Sequence, residues 1–274
     1  CLTAFHDNAG QSATWQFQMP TGQGQSIRLD LAVRMLAGTN TVQVRFHRQP
    51  ADPSPAGLPD DLPVHLIVRP DIEDRNFHTT TKAYTGPEHH FPAAVTPRAN
   101  GFVFQPEPQR QLHLQASAGH FVTEPEWTYM VHRPLEAERG LEAESDLFSP
   151  GYIRAPLAGG NQLLLTAAVT TGSDAGEAPA WRADDRPRCG PTDADRPIDT
   201  ALQQAMNQFI VKRGDFATVI AGYPWFLDWG RDTLICLRGM IAAGMHTACR
   251  DILRQFARFE NAGTTVADWS LITG

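Results

Sequence analysis

Apolar and polar residues alternate along much of the first 170 residues of the chain. A period of two places successive side chains on opposite faces of a strand, so each alternating segment is predicted to be a half-buried β-strand. The clearest segments are 15–19, 27–34 and 42–47, and further candidates are 64–68, 102–104, 112–114 and 163–169. Turn-forming stretches rich in Gly and Pro separate them, and no helical pattern lies between them. The pattern predicts an antiparallel β-sandwich domain over residues 1–170.

Residues 171–197 differ in composition from what precedes them. They are rich in Gly, Pro, Asp and Ala, and Trp181 is their one large aromatic residue. Such a composition offers little apolar surface for a core, so this segment is predicted to be a linker.

After the linker the apolar period becomes helical. The stripes are Leu202, Ala205, Met206, Phe209 and Ile210, then Leu234, Leu237 and Ile241, then Ile252, Leu253 and Phe256. The second helix is predicted to begin near Trp229 with Gly244 just past its end, and the third to span about His246–Phe259. Three such helices cannot bury their own stripes, so residues 198–274 are predicted to be the start of a helical domain that is unfinished at Gly274.

Composition narrows the classes of molecule that the chain is expected to bind. The 274 residues carry a formal charge of −7 without runs of Lys or Arg, which argues against a nucleic-acid or anionic-membrane surface. No apolar stretch is long enough to span a membrane. The four cysteines are far apart and lack zinc-ligand spacing, so we expect reduced thiols, a cytoplasmic location, no metal and no cofactor.

The segment GYPWFLDWGRDT (222–233) holds the candidate chemistry. In the purely structural interpretation, Asp228 caps the helix, Asp232 complements its dipole, and the aromatic residues enter the core. Four aromatic residues in seven positions are too many for one small core, however. Arg and Asp side chains beside flat indole rings are typical of sugar sites, because hydroxyl groups need fixed donors and acceptors while C–H faces pack on aromatic planes. The segment lacks the glycine-rich backbone of a phosphate site and the converging ligands of a metal site.

The two aspartates of this segment are not expected to be a glycosidase acid/base pair. Asp228 and Asp232 at i and i+4 of a helix would lie on one face, with Cβ atoms about 5–6 Å apart. The acid and base of an inverting glycosidase flank the bond from opposite sides, about 6.5–9.5 Å apart. We therefore expect these carboxylates to hold hydroxyl groups.

The same residues carry a family resemblance. NQFIVKR (207–213) and TVIAGYPWFLDWGRDTLICLRGMIAAG (218–244) resemble the start of the amylo-α-1,6-glucosidase domain of bacterial and archaeal glycogen debranching enzymes. The segments 132–168 and RPDIEDRNFH (69–78), with Arg75 and His78, resemble the N-terminal β-sandwich of that family. The resemblance implies an (α/α) six-hairpin barrel after the sandwich and inverting hydrolysis of α-1,6-linked glucose in glycogen or limit dextrin.

The resemblance also implies roles for individual residues. Arg231 and Asp232 would hold the glucose to be cleaved, Trp225 and Trp229 would shape its pocket, and Asp228 would contact sugar or support the site structurally. The general acid and base of the family lie beyond Gly274, so this chain alone is expected to be inactive. The chain is expected to be truncated at both ends, because residues 264–274 do not match the family pattern and the Gly-rich opening strands of the family are missing before Cys1.

Other interpretations remain open at this point. The chain could be a non-catalytic carbohydrate-binding or scaffolding fragment, or part of another α/α-barrel glycosidase of the glucoamylase or trehalase type. The acids Glu142, Glu144 and Asp146 match a family segment and would lie either at the sandwich–barrel interface or in a charged loop.

Overall fold

The computed structural model describes residues 1–8, 12–36, 38–53, 55–76, 79–170, 198–223, 226–261 and 264–265. The chain divides into two compact units, Cys1–Arg188 and Cys189–Gly274. The division falls within residues 171–197, which lie outside the described residues, so the linker stays a prediction.

Two antiparallel sheets form the first unit. The strands are β1 (Leu2–Asn8), β2 (Ser12–Pro20), β3 (Ser26–Met35), β4 (Thr41–Arg48), β5 (Val64–Val68), β6 (Val95–Arg98), β7 (Gly101–Glu107), β8 (Arg110–Ala116), β9 (His120–His132), β10 (Glu144–Leu157) and β11 (Gln162–Thr170). The larger sheet has the order β1-β2-β3-β4-β11-β8-β7-β6, and the smaller one β5-β10-β9. One core holds apolar residues of both sheets, such as Phe104 and Leu163 from the larger and Phe148 and Ile153 from the smaller. The predicted antiparallel sandwich is thereby confirmed.

Short helices in this unit were not predicted. They are α1 (Pro87–Ala93), α2 (Pro134–Glu138) and a single 3-10 turn at Ala83–Thr85. Each has at most two turns, too few for a helical period to stand out against the surrounding strands. Helix α1 contributes Phe91 to the core, where its ring lies 5.1 Å from Phe104 and 5.8 Å from Trp127.

A buried arginine fixes the long connection after β4. The guanidinium of Arg48, at the end of that strand, donates to the backbone carbonyls of Leu58, Pro59, Leu62 and Leu157. Its side chain is almost fully buried. Four carbonyl acceptors therefore replace water around a charge that would otherwise be costly to bury, and they tie the connection to β10.

Helices and a β-hairpin make up the second unit. The elements are α3 (Ile198–Phe209), β12 (Ile210–Arg213), β13 (Phe216–Val219), α4 (Gly230–Ala242), α5 (His246–Ala257), β14 (Glu260–Asn261) and β15 (Thr264–Thr265). Its core is formed by Val219, Leu237, Met240, Cys249, Ile252 and Phe256. The three predicted helices exist, but the closed (α/α) barrel stays a prediction.

The predicted apolar stripes were partly wrong. Ile241 and Leu253 are exposed, as are Leu202 and Phe209 on α3. In α4 the buried face consists of Gly230, Thr233, Leu237 and Met240. Helix α4 is apolar over more than half of its circumference, so packing against α5 and the hairpin selects the buried face.

None of the described helices is both long and apolar enough to cross a membrane. The described cysteines Cys1, Cys236 and Cys249 are free thiols, while Cys189 lies outside the described residues.

A Schellman motif ends α4, as the position of Gly244 predicted. Gly244 has a φ of 77°. Its N–H donates to the Ile241 carbonyl at 3.0 Å, and the Met245 N–H donates to the Met240 carbonyl at 2.9 Å.

We expect Gly244→Ala to lower the free energy of unfolding by about 1 kcal/mol, because a Cβ disfavours the left-handed conformation. An added methyl would meet nothing within 4 Å, so backbone strain alone is tested. Gly239→Ala, in the interior of the same helix and equally open, is the matched control and should raise stability by about 0.5–1 kcal/mol. Urea denaturation followed by circular dichroism checks both, and the same sign for both variants would contradict the account.

Candidate functional site

The candidate site lies where the hairpin β12–β13 connects to α4. The Ala221 N–H donates to the Leu227 carbonyl at 3.0 Å, and the Phe226 N–H donates to the Gly222 carbonyl at 2.8 Å. These two bonds close a narrow loop at residues 222–226. Pro224 and Trp225 lie outside the described residues, so the sugar contact of Trp225 stays a prediction.

The Asp228 carboxylate is buried against the hairpin. Its Oδ2 accepts a hydrogen bond from Arg213 Nη1 and another, of 2.8 Å, from the Thr218 hydroxyl. The register of the hairpin pairs Val211 with Thr218 and Arg213 with Phe216, so Arg213 and Thr218 share one face. The opposite face carries Ile210, Ala217 and Val219 into the core. The hairpin thus joins the core on one side and holds Asp228 on the other.

The structure contradicts the alternative in which Asp228 caps α4, and also the expected position of Asp228 on a helix face. The N-cap of α4 is Trp229, which makes no side-chain capping bond, and the Asp228 carboxylate is occupied by the hairpin. Asp228 precedes the helix, so Asp228 and Asp232 do not share a helix face. The conclusion that they are not an acid/base pair now rests on burial: Asp228 is 6% exposed and its Oδ2 already accepts two bonds.

Arg231 and Asp232 occupy the first turn of α4. Both side chains are exposed, and neither makes a hydrogen bond or an ion pair with any residue that the structure describes. A carboxylate in the first turn of a helix interacts favourably with the positive end of the helix dipole. The two side chains therefore offer open donors and an open acceptor at adjacent positions.

Trp229 lies at the start of this turn and is half-buried. Its ring meets Phe226 edge to face, with centroids 5.7 Å apart and an interplanar angle of 88°. An aromatic pair of this geometry favours one orientation of the indole plane. Trp229 is the N-cap of α4, so an aromatic residue lies at the start of the turn that carries Arg231 and Asp232.

Buried contacts hold in place the first turn of α4, which carries Arg231 and Asp232. Thr233 is fully buried and its hydroxyl donates to the Val219 carbonyl at 3.2 Å. Gly230 lies against Phe256 of α5 so closely that an added Cβ would be 3.3 Å from the ring. Rigid support of this kind lowers the entropic cost of binding a ligand at the exposed side of the turn.

Two cation–π contacts attach the hairpin to the end of α5. The guanidinium carbon of Arg213 lies 5.1 Å from the Phe259 ring centroid, and that of Arg258 lies 4.5 Å from Phe216. Arg258 also pairs with Asp215 at 3.1 Å in the hairpin turn. The sequence reasoning missed Arg213, Thr218 and Arg258. The Gly-Asp turn between two apolar segments is the signal that could have predicted the hairpin, and with it the face that receives Asp228.

Tyr223 joins the site loop to α3. Its hydroxyl donates to the Gln208 carbonyl at 3.0 Å, and its ring lies 5.6 Å from Phe209. Burial raises the pKa of the Tyr223 phenol, so the group stays a neutral donor. These contacts anchor the site loop to α3.

The acids at 142–146 of the sandwich are divided between a strand and a loop: Glu144 and Asp146 lie in β10, whereas Glu142 is exposed in the loop before it. Asp146 is buried in β10, where its two oxygens accept from the backbone N–H groups of Ala83 at 2.8 Å and Met130 at 2.9 Å. Glu144 pairs with His132 and Glu142 with Lys82. Asp146 therefore has a structural role, whereas the proposed interface with the helical unit stays a prediction.

Two known protein families match the chain, one in each of its two compact units. Residues 1–164 match the family model described as glycogen debranching enzyme N terminal, and residues 204–265 match the model described as amylo-alpha-1,6-glucosidase. No curated protein matches the chain. Among the described residues no group of three or more His, Cys, Asp or Glu side chains could hold a metal ion. The chain belongs to the glycogen debranching enzyme family.

Proposed function

We propose that the chain is part of a glycoside hydrolase that releases α-1,6-linked glucose from the branch points of glycogen or limit dextrin, with inversion at the anomeric carbon. The observation that carries the proposal is the open pair Arg231 and Asp232 beside Trp229. This pair lies inside the segment that matches the amylo-alpha-1,6-glucosidase family model.

The pair suits the terminal glucose of a branch. Adjacent hydroxyl groups of glucose both donate and accept, so one can accept from the Arg231 guanidinium while its neighbour donates to the Asp232 carboxylate. Hydrogen bonds to charged groups contribute about 1.5–3 kcal/mol each when the partner is held in place. The apolar C–H face of the sugar would pack on Trp229, with Trp225 as a second wall.

Asp228 has a supporting role in this proposal. Its bonds to Arg213 and Thr218 hold the backbone that leads into α4, so it positions the pair without touching the sugar.

Catalysis needs two further carboxyl groups. An inverting glycosidase uses a general acid on the leaving oxygen and a general base on a water, on opposite sides of the bond. We propose that these groups lie beyond Gly274, as the family resemblance implies. On this proposal residues 1–170 form the sandwich, 171–197 the linker and 198–274 the start of the barrel. The chain alone would then bind glucan without cleaving it.

The reaction is tested on the complete gene product with phosphorylase limit dextrin as substrate. We expect free glucose, released first as the β-anomer and detected by proton NMR, because inversion converts an α-linkage into a β-product. Maltose and trehalose serve as α-1,4 and α,α-1,1 controls and should be poor substrates. Preferential cleavage of either control would favour a glucoamylase- or trehalase-type enzyme, and dextrin binding without glucose release would favour the non-catalytic alternative.

A further inference from the structure

A second polar cleft lies wholly within the sandwich unit. Its volume is about 440 Å³, within the range of small-molecule sites. It opens between residues 74–76 and 79–87 on one side and the turn that joins β7 to β8 at residues 106–110 on the other. Residues 74–76 belong to RPDIEDRNFH, which the proposed reaction does not use. We call this feature the threonine cleft, because Thr79, Thr80, Thr81 and Thr85 line it.

A fixed ion pair forms one wall of the threonine cleft. Arg110 Nε donates to Asp74 Oδ1 at 2.8 Å, and Arg110 Nη2 donates to Asp74 Oδ2 at 2.6 Å. This fork leaves further N–H donors on the guanidinium and a second lone pair on each carboxylate oxygen. The Arg110 side chain is 47% exposed and that of Asp74 21%, so a ligand in the cleft can reach both. A coplanar donor and acceptor side by side match two neighbouring hydroxyl groups.

The remaining lining adds hydroxyl groups and an apolar surface. Within the described residues the Thr80 hydroxyl makes no hydrogen bond, and the Thr81 hydroxyl is buried without a partner. Pro87 is half-buried and supplies an apolar contact at the edge of the cleft, while the buried residues Phe91 and Pro106 lie behind its surface. Phe91 is held in place by its edge contact with Phe104 at 5.1 Å.

The charges of the cleft favour a neutral ligand. The carboxylates of Asp74 and Glu107 lie among the basic groups of Arg75, Lys82 and Arg110. Lys82 is already committed to Glu142 and to the Glu144 carbonyl. An anion would meet two carboxylates, whereas a polyhydroxylated neutral molecule can use both signs of charge.

We propose that the threonine cleft is a second glucan-binding site, which takes a stretch of α-glucan chain by its hydroxyl groups. The inference rests on the proposed function for its choice of sugar. Two sites in one polypeptide raise the effective concentration of a branched polymer at each of them, so weak binding at the cleft would still hold the substrate.

The test is a titration of the ¹⁵N-labelled full chain with maltohexaose, followed by amide NMR. We expect progressive shifts of the amides at 79–86 and of those of Glu107, Gln109 and Arg110. Arg110→Ala should weaken this binding by about tenfold, because it removes charged hydrogen bonds. The matched control Arg98→Ala changes an exposed arginine outside the cleft, whose side chain contacts the carbonyl of its neighbour Pro97, and should leave the dissociation constant unchanged.

A third variant, Asp232→Asn, separates this inference from the proposed function. It should abolish shifts around α4 and leave those of the cleft intact. Cleft shifts without any shifts at α4 in the parent chain would support the second site and count against the proposed function. The absence of cleft shifts, or their equal loss in Arg110→Ala and Arg98→Ala, would overturn the inference. So would a steep loss of binding at high salt, which marks an anion site.

Discussion

Replacing Asp232 with Asn in the complete gene product is expected to lower kcat/KM for limit dextrin by about ten- to a hundredfold. The carboxylate accepts from one sugar hydroxyl group in our proposal, and this charged hydrogen bond of about 1.5–3 kcal/mol is at stake. Folding should be little affected, because the Asp232 side chain is exposed and the substitution removes only its interaction with the helix dipole, which contributes about 0.3–1 kcal/mol. Initial rates of glucose release, with the melting temperature measured alongside, check this result.

Asp199→Asn provides the matched control for Asp232. Asp199 is also an exposed aspartate in the first turn of a helix, α3, so its loss removes the same favourable contact with the helix dipole. It should leave kcat/KM unchanged. Equal losses in both variants would mean that helix stability, and not sugar binding, accounts for the role of Asp232.

The second large effect concerns stability. Asp228→Ala is expected to lower the free energy of unfolding by about 2–4 kcal/mol. The substitution leaves the Arg213 guanidinium without its carboxylate and the buried Thr218 hydroxyl without its acceptor. The estimate lies below the full cost of breaking a buried pair because the Arg213 side chain is 24% exposed. Urea denaturation of the full chain measures it.

Asp215→Ala is the comparison for that experiment. Asp215 lies in the turn of the same hairpin and also pairs with an arginine, Arg258, but its side chain is 81% exposed. Such surface pairs contribute less than about 1 kcal/mol, so this variant should lose little stability. If the two variants are equally stable, the hairpin does not depend on the buried Asp228 contacts and the positioning role is wrong.

The alternation of apolar and polar residues was sufficient to predict those strands whose pairing is regular. Strands β2, β3 and β4 pair without a register shift between them, so the period of two survives in the sequence. Strands β9 and β10 were not predicted, although they form most of the smaller sheet. Register shifts between Ser145 and Leu147 and between Ser149 and Gly151 break their alternation, and bulges of this kind erase the sequence signal.

The candidate site could likewise be predicted only in part from the sequence. The types of side chain in GYPWFLDWGRDT predicted a polar, aromatic surface at a helix start, and Arg231 and Asp232 lie at such a start. The burial of Asp228 could not be predicted, because it depends on Arg213 and Thr218, which only the pairing of β12 with β13 brings to one face. Short carboxylates before a helix usually cap it, and here tertiary contacts replace that local preference.

The central claim is that Arg231 and Asp232 hold a terminal glucose. A crystal structure of the protein with bound glucose tests it most directly. The account predicts two neighbouring hydroxyl groups within about 3 Å of the Arg231 guanidinium and the Asp232 carboxylate, with the sugar face against Trp229. Glucose bound elsewhere, with both side chains of the pair still facing solvent, would contradict it.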